Sequence, residues 1–84
     1  MDEKHLPKSV EGCQLMKTND GIAVQCGDKI HTLNSTAGEI FELCDGSRPV
    51  NEIVDVMKNR YHDEEIKPVV LDFLDQLHTS GLIV

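Results

Sequence analysis

Hydrophobic and polar residues follow one period in the first part of the chain and another after Leu33. In the segment IAVQC at 22–26, Ile, Val and Cys alternate with Ala and Gln, which is the period of two that a β-strand shows. An Asp-Gly pair, as at 20–21, is typical of a tight hairpin turn. The pattern therefore predicts a meander of three strands, CQLMKT, IAVQC and KIHTL, with turns at Asn19-Asp20-Gly21 and Gly27-Asp28.

The third predicted strand does not alternate cleanly. Its two apolar residues, Ile30 and Leu33, are separated by three positions and so have opposite parity. Because successive side chains of a strand point to opposite faces, only one of the two can face the core unless a bulge intervenes.

After Leu33 the apolar residues recur at helical spacing. Asn34 is a favourable N-cap for a first helix, with Ser35 and Thr36 next to it. Gly46 is expected to end this helix in the left-handed conformation. The apolar stripe of the helix consists of Ala37, Ile40, Phe41 and Cys44.

Two further helices are predicted by the rest of the chain. Pro49 opens the second, and Glu64 or Glu65 opens the third, with Pro68 in its first turn, where a missing N–H costs little. Gly81 ends the third helix. The predicted core stripes are Val50, Ile53, Val54 and Met57 on the second helix, extended by a turn to Tyr61, and Ile66, Val69, Val70, Phe73, Leu74 and Leu77 on the third.

Three strands followed by three helices favour an α+β fold with a three-stranded antiparallel β-meander, because a parallel sheet would need the two types to alternate. Residues 1–10 are polar and are expected to form a flexible N-terminal arm. Residues 11–84 are expected to form a single domain, closed by an extended tail at 82–84.

Composition narrows the classes of partner and compartment. The net charge is −7, from eight basic and fifteen acidic residues, and this argues against a nucleic-acid partner, whose phosphates require Lys and Arg. No apolar run is long enough for a membrane span or a signal peptide. The three cysteines, Cys13, Cys26 and Cys44, are odd in number and lack a C-x-x-C pair, so we expect reduced thiols in the cytoplasm.

No set of residues carries a catalytic pattern. The four histidines are scattered, and the serines lie in turn or cap contexts, so neither a metal site nor a nucleophile is expected. The acidic triplet at 63–65 is best explained as a helix N-terminus favoured by the helix dipole. Cys44 falls on a core stripe. The sequence therefore predicts no enzyme activity, no catalytic residue and no cofactor.

A binding surface is the remaining possibility. Leu71 lies about 100° round from Val70 on a helix, outside the core stripe, where it is either an ordinary exposed leucine or part of a groove. The third strand is an edge of the meander, and an edge strand beside an apolar helix face suits β-strand addition by a peptide. The helix face around Leu71 also contains Lys67, Leu74, Asp75 and His78.

A series of short motifs in the second part of the chain resembles the PqqD-like family. These proteins are recognition elements for the leader segments of ribosomally synthesised precursor peptides. The resemblance covers about residues 30–84, and it departs from the family at Pro49, where Ser or Thr often caps the second helix. The matching motifs are Leu33-Asn34, Asp45-Gly46, Glu52-Ile53, Phe73-Leu74 and Gly81-Leu82-Ile83.

The resemblance implies a winged helix-turn-helix-like fold and a peptide chaperone without catalysis of its own. The leader would add as a strand between the third strand and the third helix, and would be presented to a modifying enzyme such as a radical-SAM protein, a protease or a cyclase. Pathways to quinone cofactors such as PQQ, to lasso peptides and to thioether peptides use such modules. The implied peptide-binding residues are Lys29, Ile30, His31, Thr32 and Leu33 on the strand, and Lys67, Leu71, Leu74, Asp75 and His78 on the helix.

Two alternatives remain open. A winged-helix transcription regulator would also have three helices and a small wing, although the third helix carries Lys67 as its only basic residue besides His78. A detached domain that regulates a partner enzyme allosterically would need no peptide groove. A gel shift at low salt tests the first alternative, and an assay of the partner enzyme with a leaderless substrate tests the second.

Overall fold

The computed structural model describes residues 2–19 and 21–84, so the predicted turn residue Asp20 and Met1 of the predicted arm lie outside the described residues. Strands precede helices, and the predicted α+β fold with its three-stranded antiparallel meander is confirmed. The elements are β1 (Cys13–Thr18), β2 (Gly21–Cys26), β3 (Lys29–Leu33), α1 (Ser35–Leu43), α2 (Val50–Tyr61) and α3 (Lys67–Thr79).

The register of the sheet decides which face each side chain of β3 takes. Leu33 lies opposite the buried Ile22 of β2, and Ile30 lies opposite Gln25. Residues directly opposite one another share a face of the sheet. Leu33 accordingly packs against the core, whereas Ile30 is 63% exposed on the outer face. The expectation that only one of the two faces the core is confirmed.

The sheet register also brings two cysteines together. Cys13, the first residue of β1, lies directly opposite Cys26, the last residue of β2, with their Cα atoms 4.2 Å apart. A disulfide joins them, so the expectation of reduced thiols was wrong for this pair. The odd number of cysteines left one thiol over, the buried Cys44, and the pairing of the other two depended on a register that spacing alone did not reveal.

Helix α1 begins as predicted. The side chain of Asn34 accepts a hydrogen bond from the backbone N–H of Ala37, at 2.8 Å. At the other end Cys44 is the C-cap, and Gly46 follows in the left-handed region, with a φ of 82°. One face of α1 packs on β2, and this face includes Gly38, where an added β-carbon would overlap the side chain of Ile22.

The second and third helices match their predicted stripes to different degrees. On α2 the first four residues of the predicted stripe are buried, whereas Tyr61, which was expected to extend it, is 43% exposed. Pro49 occupies the N-cap without a side-chain hydrogen bond. Helix α3 begins at Lys67, and Asp63 accepts the N–H of Glu65 in the turn before it. Its buried residues are Val70, Leu74 and Leu77, and the N-cap residue Ile66 is buried as well.

Two residues that we predicted on the α3 core stripe lie outside the fully buried core. Val69 is 46% exposed, and Phe73 is only partly buried. The buried positions are spaced by four, four and three residues, which keeps the core stripe narrow and leaves its flank uncovered. The placement of Val69 in the core was therefore wrong, and Phe73 packs at the edge of the core.

The segment before β1 is paired with the rest of the chain. Lys8 and Val84 exchange backbone hydrogen bonds of 3.2 and 2.9 Å, and the carbonyl of His5 accepts the N–H of Val50. Pro7 is fully buried. The described part of this segment, residues 2–10, therefore differs from the loose arm that its polar composition predicted, because its backbone groups find partners on the extended C-terminal tail and on α2.

Candidate functional site

A groove runs between the open edge of β3 and one face of α3. It has a volume of about 470 Å³ and is bordered at one end by the start of α1 and by the tail after α3. The residues that line it are Ile30, His31, Thr32, Leu33, Asn34, Ala37, Phe73, Gln76, Leu77, Ser80 and Leu82.

Strand β3 supplies one wall of the groove and has an open backbone edge. It pairs with β2 on one side only, since the sheet order is β1-β2-β3. Outside the sheet ladder, no backbone hydrogen bond among the described residues involves Lys29–Leu33. Half of the N–H and C=O groups of an edge strand point away from its neighbour, so this edge can pair with a further strand.

Among the described residues that line the groove, His31 is the one with an ionisable side chain. The chain as a whole has 27% charged residues and a net charge of −7, yet no Asp, Glu, Lys or Arg of the described part of the chain lines this groove. Ala37, Leu77 and Leu82 are buried beneath it, and Phe73 is partly exposed to it. Such a surface favours a ligand with apolar or neutral side chains, because a charged group would be desolvated there without a partner.

Two polar residues also line the groove, Gln76 on α3 and Ser80 at its C-cap. The amide of Gln76 donates a hydrogen bond of 3.0 Å to the carboxylate of Asp72, one turn earlier on the helix. Ser80 caps the C-terminus of α3, and its backbone N–H donates to the carbonyl of Gln76. Both side chains are exposed, so their oxygen and nitrogen atoms can contact a ligand in the groove.

The structure places the strand half of the predicted site at the groove. Ile30, His31, Thr32 and Leu33 all line it. Lys29 begins the same strand but is not among the lining residues. The four lining residues alternate between the two faces of the sheet, so the groove follows the strand edge rather than one face.

The structure places the helix half of the predicted site elsewhere. At 100° per residue, the predicted face of α3 is centred roughly 150° from the face that lines the groove. Leu74 is completely buried in the core, and Leu71 is partly buried and packs against the core. Lys67 forms an ion pair with Glu3, and Asp75 and His78 border a separate depression of about 250 Å³ together with Asp2 and His5.

Sequence reasoning missed the α3 residues that line the groove. Phe73, Gln76, Leu77 and Ser80 occur at i, i+3, i+4 and i+7 and so form one helical face. That spacing is visible in the sequence, but apolar periodicity predicts Phe73 and Leu77 as core residues, and the polar members carry no signal of their own. Asn34, Ala37 and Leu82 were also assigned only architectural roles.

Cys44 is a core residue rather than a nucleophile. Burial and the charge of the neighbouring Asp45 raise the pKa of its thiol to about 12, so the thiol is neutral at physiological pH. The thiol donates a hydrogen bond to the carbonyl of Ile40, at 3.2 Å. Asp45 itself accepts hydrogen bonds from Ser47, and these lower the pKa of its carboxyl group.

Residues 2–19 and 21–84 bring together no group of three or more His, Cys, Asp or Glu side chains that could hold a metal ion. The described helices are also too short or too polar to cross a lipid bilayer.

Comparison with known proteins identifies the family. The family model of coenzyme PQQ synthesis protein D (PqqD) matches residues 14–83, which is most of the chain. The chain belongs to the PqqD family. A curated relative from Methylococcus capsulatus (strain ATCC 33009 / NCIMB 11132 / Bath), named PqqA binding protein, is 39% identical over 51 residues.

The match to this relative covers 61% of the present chain and 55% of the relative, so the chain spans about half the length of the curated relative that it matches. No solved structure matches the chain. The winged helix-turn-helix likeness of this PqqD family member accordingly stays a prediction, while its three strands and three helices are described directly.

Proposed function

We propose that this PqqD family member is a peptide-binding module that takes a segment of a ribosomally synthesised precursor peptide as a fourth strand on the open edge of β3. The observation that carries this proposal is the uncharged groove between that edge and α3. Backbone hydrogen bonds along β3 would supply affinity, and side-chain contacts in the groove would supply specificity.

The placement of the groove-lining residues supports a particular orientation of the bound segment. Alternate side chains of an added strand point to opposite faces, so every second side chain would point between β3 and α3. Those side chains would meet Phe73 and Leu77 on the helix, with Leu33 at the strand. We therefore propose that Phe73, Gln76, Leu77 and Ser80 form the helix side of the peptide site, together with residues 30–33 of β3.

This proposal replaces the helix residues that the sequence suggested. Leu74 has no exposed surface to offer a ligand, and Lys67 is engaged with Glu3. The pairing of Lys67 also leaves α3 without a free lysine or arginine for a phosphate backbone, so the DNA-binding alternative is not favoured. Lys29 can still contact a peptide that extends beyond the start of β3.

The chain would act by holding its peptide for a separate modifying enzyme, and it would have no turnover of its own. A role in coenzyme PQQ synthesis is supported by the family description, and PqqA as the type of peptide is supported by the relative's name. A radical-SAM enzyme, a protease or a cyclase would receive the presented peptide. We propose the cytoplasm as the compartment, where a disulfide such as Cys13–Cys26 would be transient or redox-sensing rather than permanent.

Calorimetric titration with a synthetic PqqA peptide tests the function. We expect one-to-one binding with a Kd on the order of 1 µM, which corresponds to about −8 kcal/mol. A peptide of the same composition in scrambled order should bind at least about tenfold more weakly, a difference of about 1.4 kcal/mol. The mass of the PqqA peptide should stay unchanged after incubation with the protein.

A matched pair of variants tests the groove itself. Gln76→Glu places a charge in the uncharged groove, and Gln14→Glu makes the same change on an exposed position of β1, away from the groove. We expect Gln76→Glu to weaken binding by about tenfold or more, because the carboxylate is desolvated on binding. Gln14→Glu should bind like the parent protein.

The possible outcomes distinguish an error in the proposed function from an error in the proposed binding site. If the parent protein does not bind PqqA or binds the scrambled peptide equally well, the proposed function is wrong. If it binds PqqA specifically and both variants keep the parent affinity, the function stands and the groove is not the site. Thermal melts of both variants check that the loss of the Gln76–Asp72 hydrogen bond has not unfolded the protein.

A further inference from the structure

The disulfide lies beside the turn that connects β2 to β3, the strand that forms one wall of the groove. Cys26 is the last residue of β2, and Lys29, the first residue of β3, lies directly opposite it after a two-residue turn. On its other side Cys26 is joined to Cys13 of β1. The covalent link therefore spans the open end of the β1–β2 hairpin, next to the start of the edge strand.

Each strand of the sheet is paired to the next, β1 to β2 and β2 to β3. Among the described elements β1 contacts only β2, and most of its residues are exposed. Strand β2 carries the core residues Ile22 and Val24, and β3 is paired to it. Since β1 contacts no other described element, its position depends on its pairing with β2 and on the disulfide. The disulfide is the one covalent link that the described residues provide between the strands.

Of the three cysteines, Cys13 and Cys26 are the two that a redox partner can reach in the folded protein. Cys13 and Cys26 are partly buried, so a small thiol or a thiol protein can reach them. Cys44 is 1% exposed and hydrogen-bonded to Ile40, and its raised pKa keeps it as a neutral thiol. Since the thiolate is the species that attacks a disulfide, Cys44 does not exchange with the pair in the folded protein.

We propose that the Cys13–Cys26 disulfide is a reversible redox switch that controls the order of β2 and β3, and with it the readiness of the β3 edge to accept a strand. In the oxidised state the open end of the hairpin is closed, and β3 is held in register. In the reduced state β1 can separate from β2, so β2 keeps only its contacts with α1 and β3, and the sheet that holds β3 in register is less restrained.

The redox step is a thiol–disulfide exchange with a dithiol partner. The thiolate of the partner attacks one sulfur of the Cys13–Cys26 disulfide, and a mixed disulfide forms while the other cysteine leaves as a thiolate. The second thiol of the partner then displaces the remaining cysteine, so the partner is oxidised to a disulfide and the pair takes up two electrons and two protons. The reverse exchange, with a disulfide-bearing oxidant, closes the pair again.

The consequence for peptide binding rests on the proposed function. A disordered edge must be ordered before a strand can add to it, and this ordering lowers the observed affinity in proportion to the competent fraction. We expect the oxidised protein to bind the PqqA peptide several-fold more tightly than the reduced protein. The hydrogen-exchange result below does not depend on any peptide.

Amide hydrogen exchange of the intact chain, read by mass spectrometry, tests the switch. The protein is compared after mild oxidation and after treatment with dithiothreitol, and thiols are counted in denaturant. We expect one titratable thiol in the oxidised form and three in the reduced form. Amides of β2 and β3 should exchange at least about tenfold faster on reduction, while those of α2 keep their protection, because local opening does not require global unfolding.

Two variants serve as controls. The double variant Cys13→Ser/Cys26→Ser should show the fast exchange of the reduced protein under both conditions. Cys44→Ala keeps the pair and should still respond to dithiothreitol. Equal exchange of β2 and β3 in the two redox states would overturn the proposal, as would three free thiols after oxidation or an equal acceleration in the sheet and in α2.

Peptide titration of the same samples separates this proposal from the proposed function. Tighter binding of PqqA by the oxidised form supports both. Equal binding by the two forms overturns the control of the β3 edge by the disulfide. If neither form binds PqqA, the proposed function is wrong, and the hydrogen-exchange comparison alone decides whether the redox switch exists.

Discussion

The side chain of Ile22 on β2 fills the space next to Gly38 on α1 in which a β-carbon would lie. A β-carbon built at Gly38 would be 2.2 Å from Cδ1 of Ile22 and 2.8 Å from Cγ1. Both residues are buried, so the contact has no room to relax towards solvent. The absence of a side chain at Gly38 is what lets the helix approach the sheet this closely.

Replacing Gly38 by Ala should therefore destabilise the protein. In an exposed helix this change would gain roughly 1 kcal/mol. Here the added methyl overpacks the interface with Ile22, at a cost of roughly 1–3 kcal/mol. We expect a net loss in the free energy of unfolding, measured by urea denaturation with the disulfide intact.

The Ile22 side chain provides the control for this prediction. Ile22→Ala alone should cost roughly 2–5 kcal/mol, because it removes buried methyl groups. In the background of Ile22→Ala, the change Gly38→Ala should no longer be destabilising. Equal effects of Gly38→Ala in the two backgrounds would show that the close approach to Ile22 has no energetic consequence.

The N-cap of α1 should contribute measurably to stability. Asn34→Ala removes the acceptor for the N–H of Ala37, and we expect a loss of about 1 kcal/mol in the free energy of unfolding. Asn34→Ser keeps a side-chain oxygen at the cap and should lose much less. Chemical denaturation of the three proteins measures the difference. A loss as large with Ser as with Ala would contradict a capping role.

Phe73 and Leu74 should separate peptide binding from folding. Leu74 is completely buried, so Leu74→Ala should cost roughly 2–5 kcal/mol of stability. Phe73 is only partly buried and lines the groove, so Phe73→Ala should cost less stability but weaken binding of the PqqA peptide. A thermal melt and a calorimetric titration of each variant measure the two effects.

Leu71→Asp is the comparison that distinguishes the two faces of α3. If the groove face binds the peptide, Leu71→Asp should keep near-parent affinity in whatever fraction remains folded. Loss of affinity with Leu71→Asp and parent affinity with Phe73→Ala would instead favour the helix face that the sequence suggested.

Cys44 should make stability fall at high pH. Its folded-state pKa is raised from 9.0 to about 12, so the unfolded chain loses the thiol proton first as the pH rises. The stabilisation is fully present below pH 9 and is lost between pH 9 and 12. At pH 10 the free energy of unfolding should be lower by about 1.4 kcal/mol from this group alone.

Cys44→Ala provides the reference for that pH dependence. Urea denaturation of the parent and of Cys44→Ala at pH 7 and pH 10 gives the difference that belongs to the thiol, since other titrating groups are common to both proteins. The parent should lose about 1.4 kcal/mol more than the variant over this interval. An equal pH dependence of the two proteins would contradict the shift.

The sequence was sufficient for the elements and for most of the core. The switch from period two to helical spacing after Leu33 marked the boundary between sheet and helices, because strands and helices expose side chains with different periods. Local signals such as the Asn34 cap also held, since a cap depends only on residues within one turn. The motifs of the second part of the chain pointed to the PqqD family.

Tertiary structure decided the disulfide pairing and the helix side of the groove, because both depend on contacts between residues far apart in the chain. The register of β1 on β2 placed Cys13 against Cys26. The rotation of α3 about its axis turned Phe73 and Gln76, rather than Leu71 and Asp75, towards β3. Apolar periodicity located the core side of α3, but it could not show which flank of that side lies next to the sheet, since this depends on how the helix packs against its neighbours.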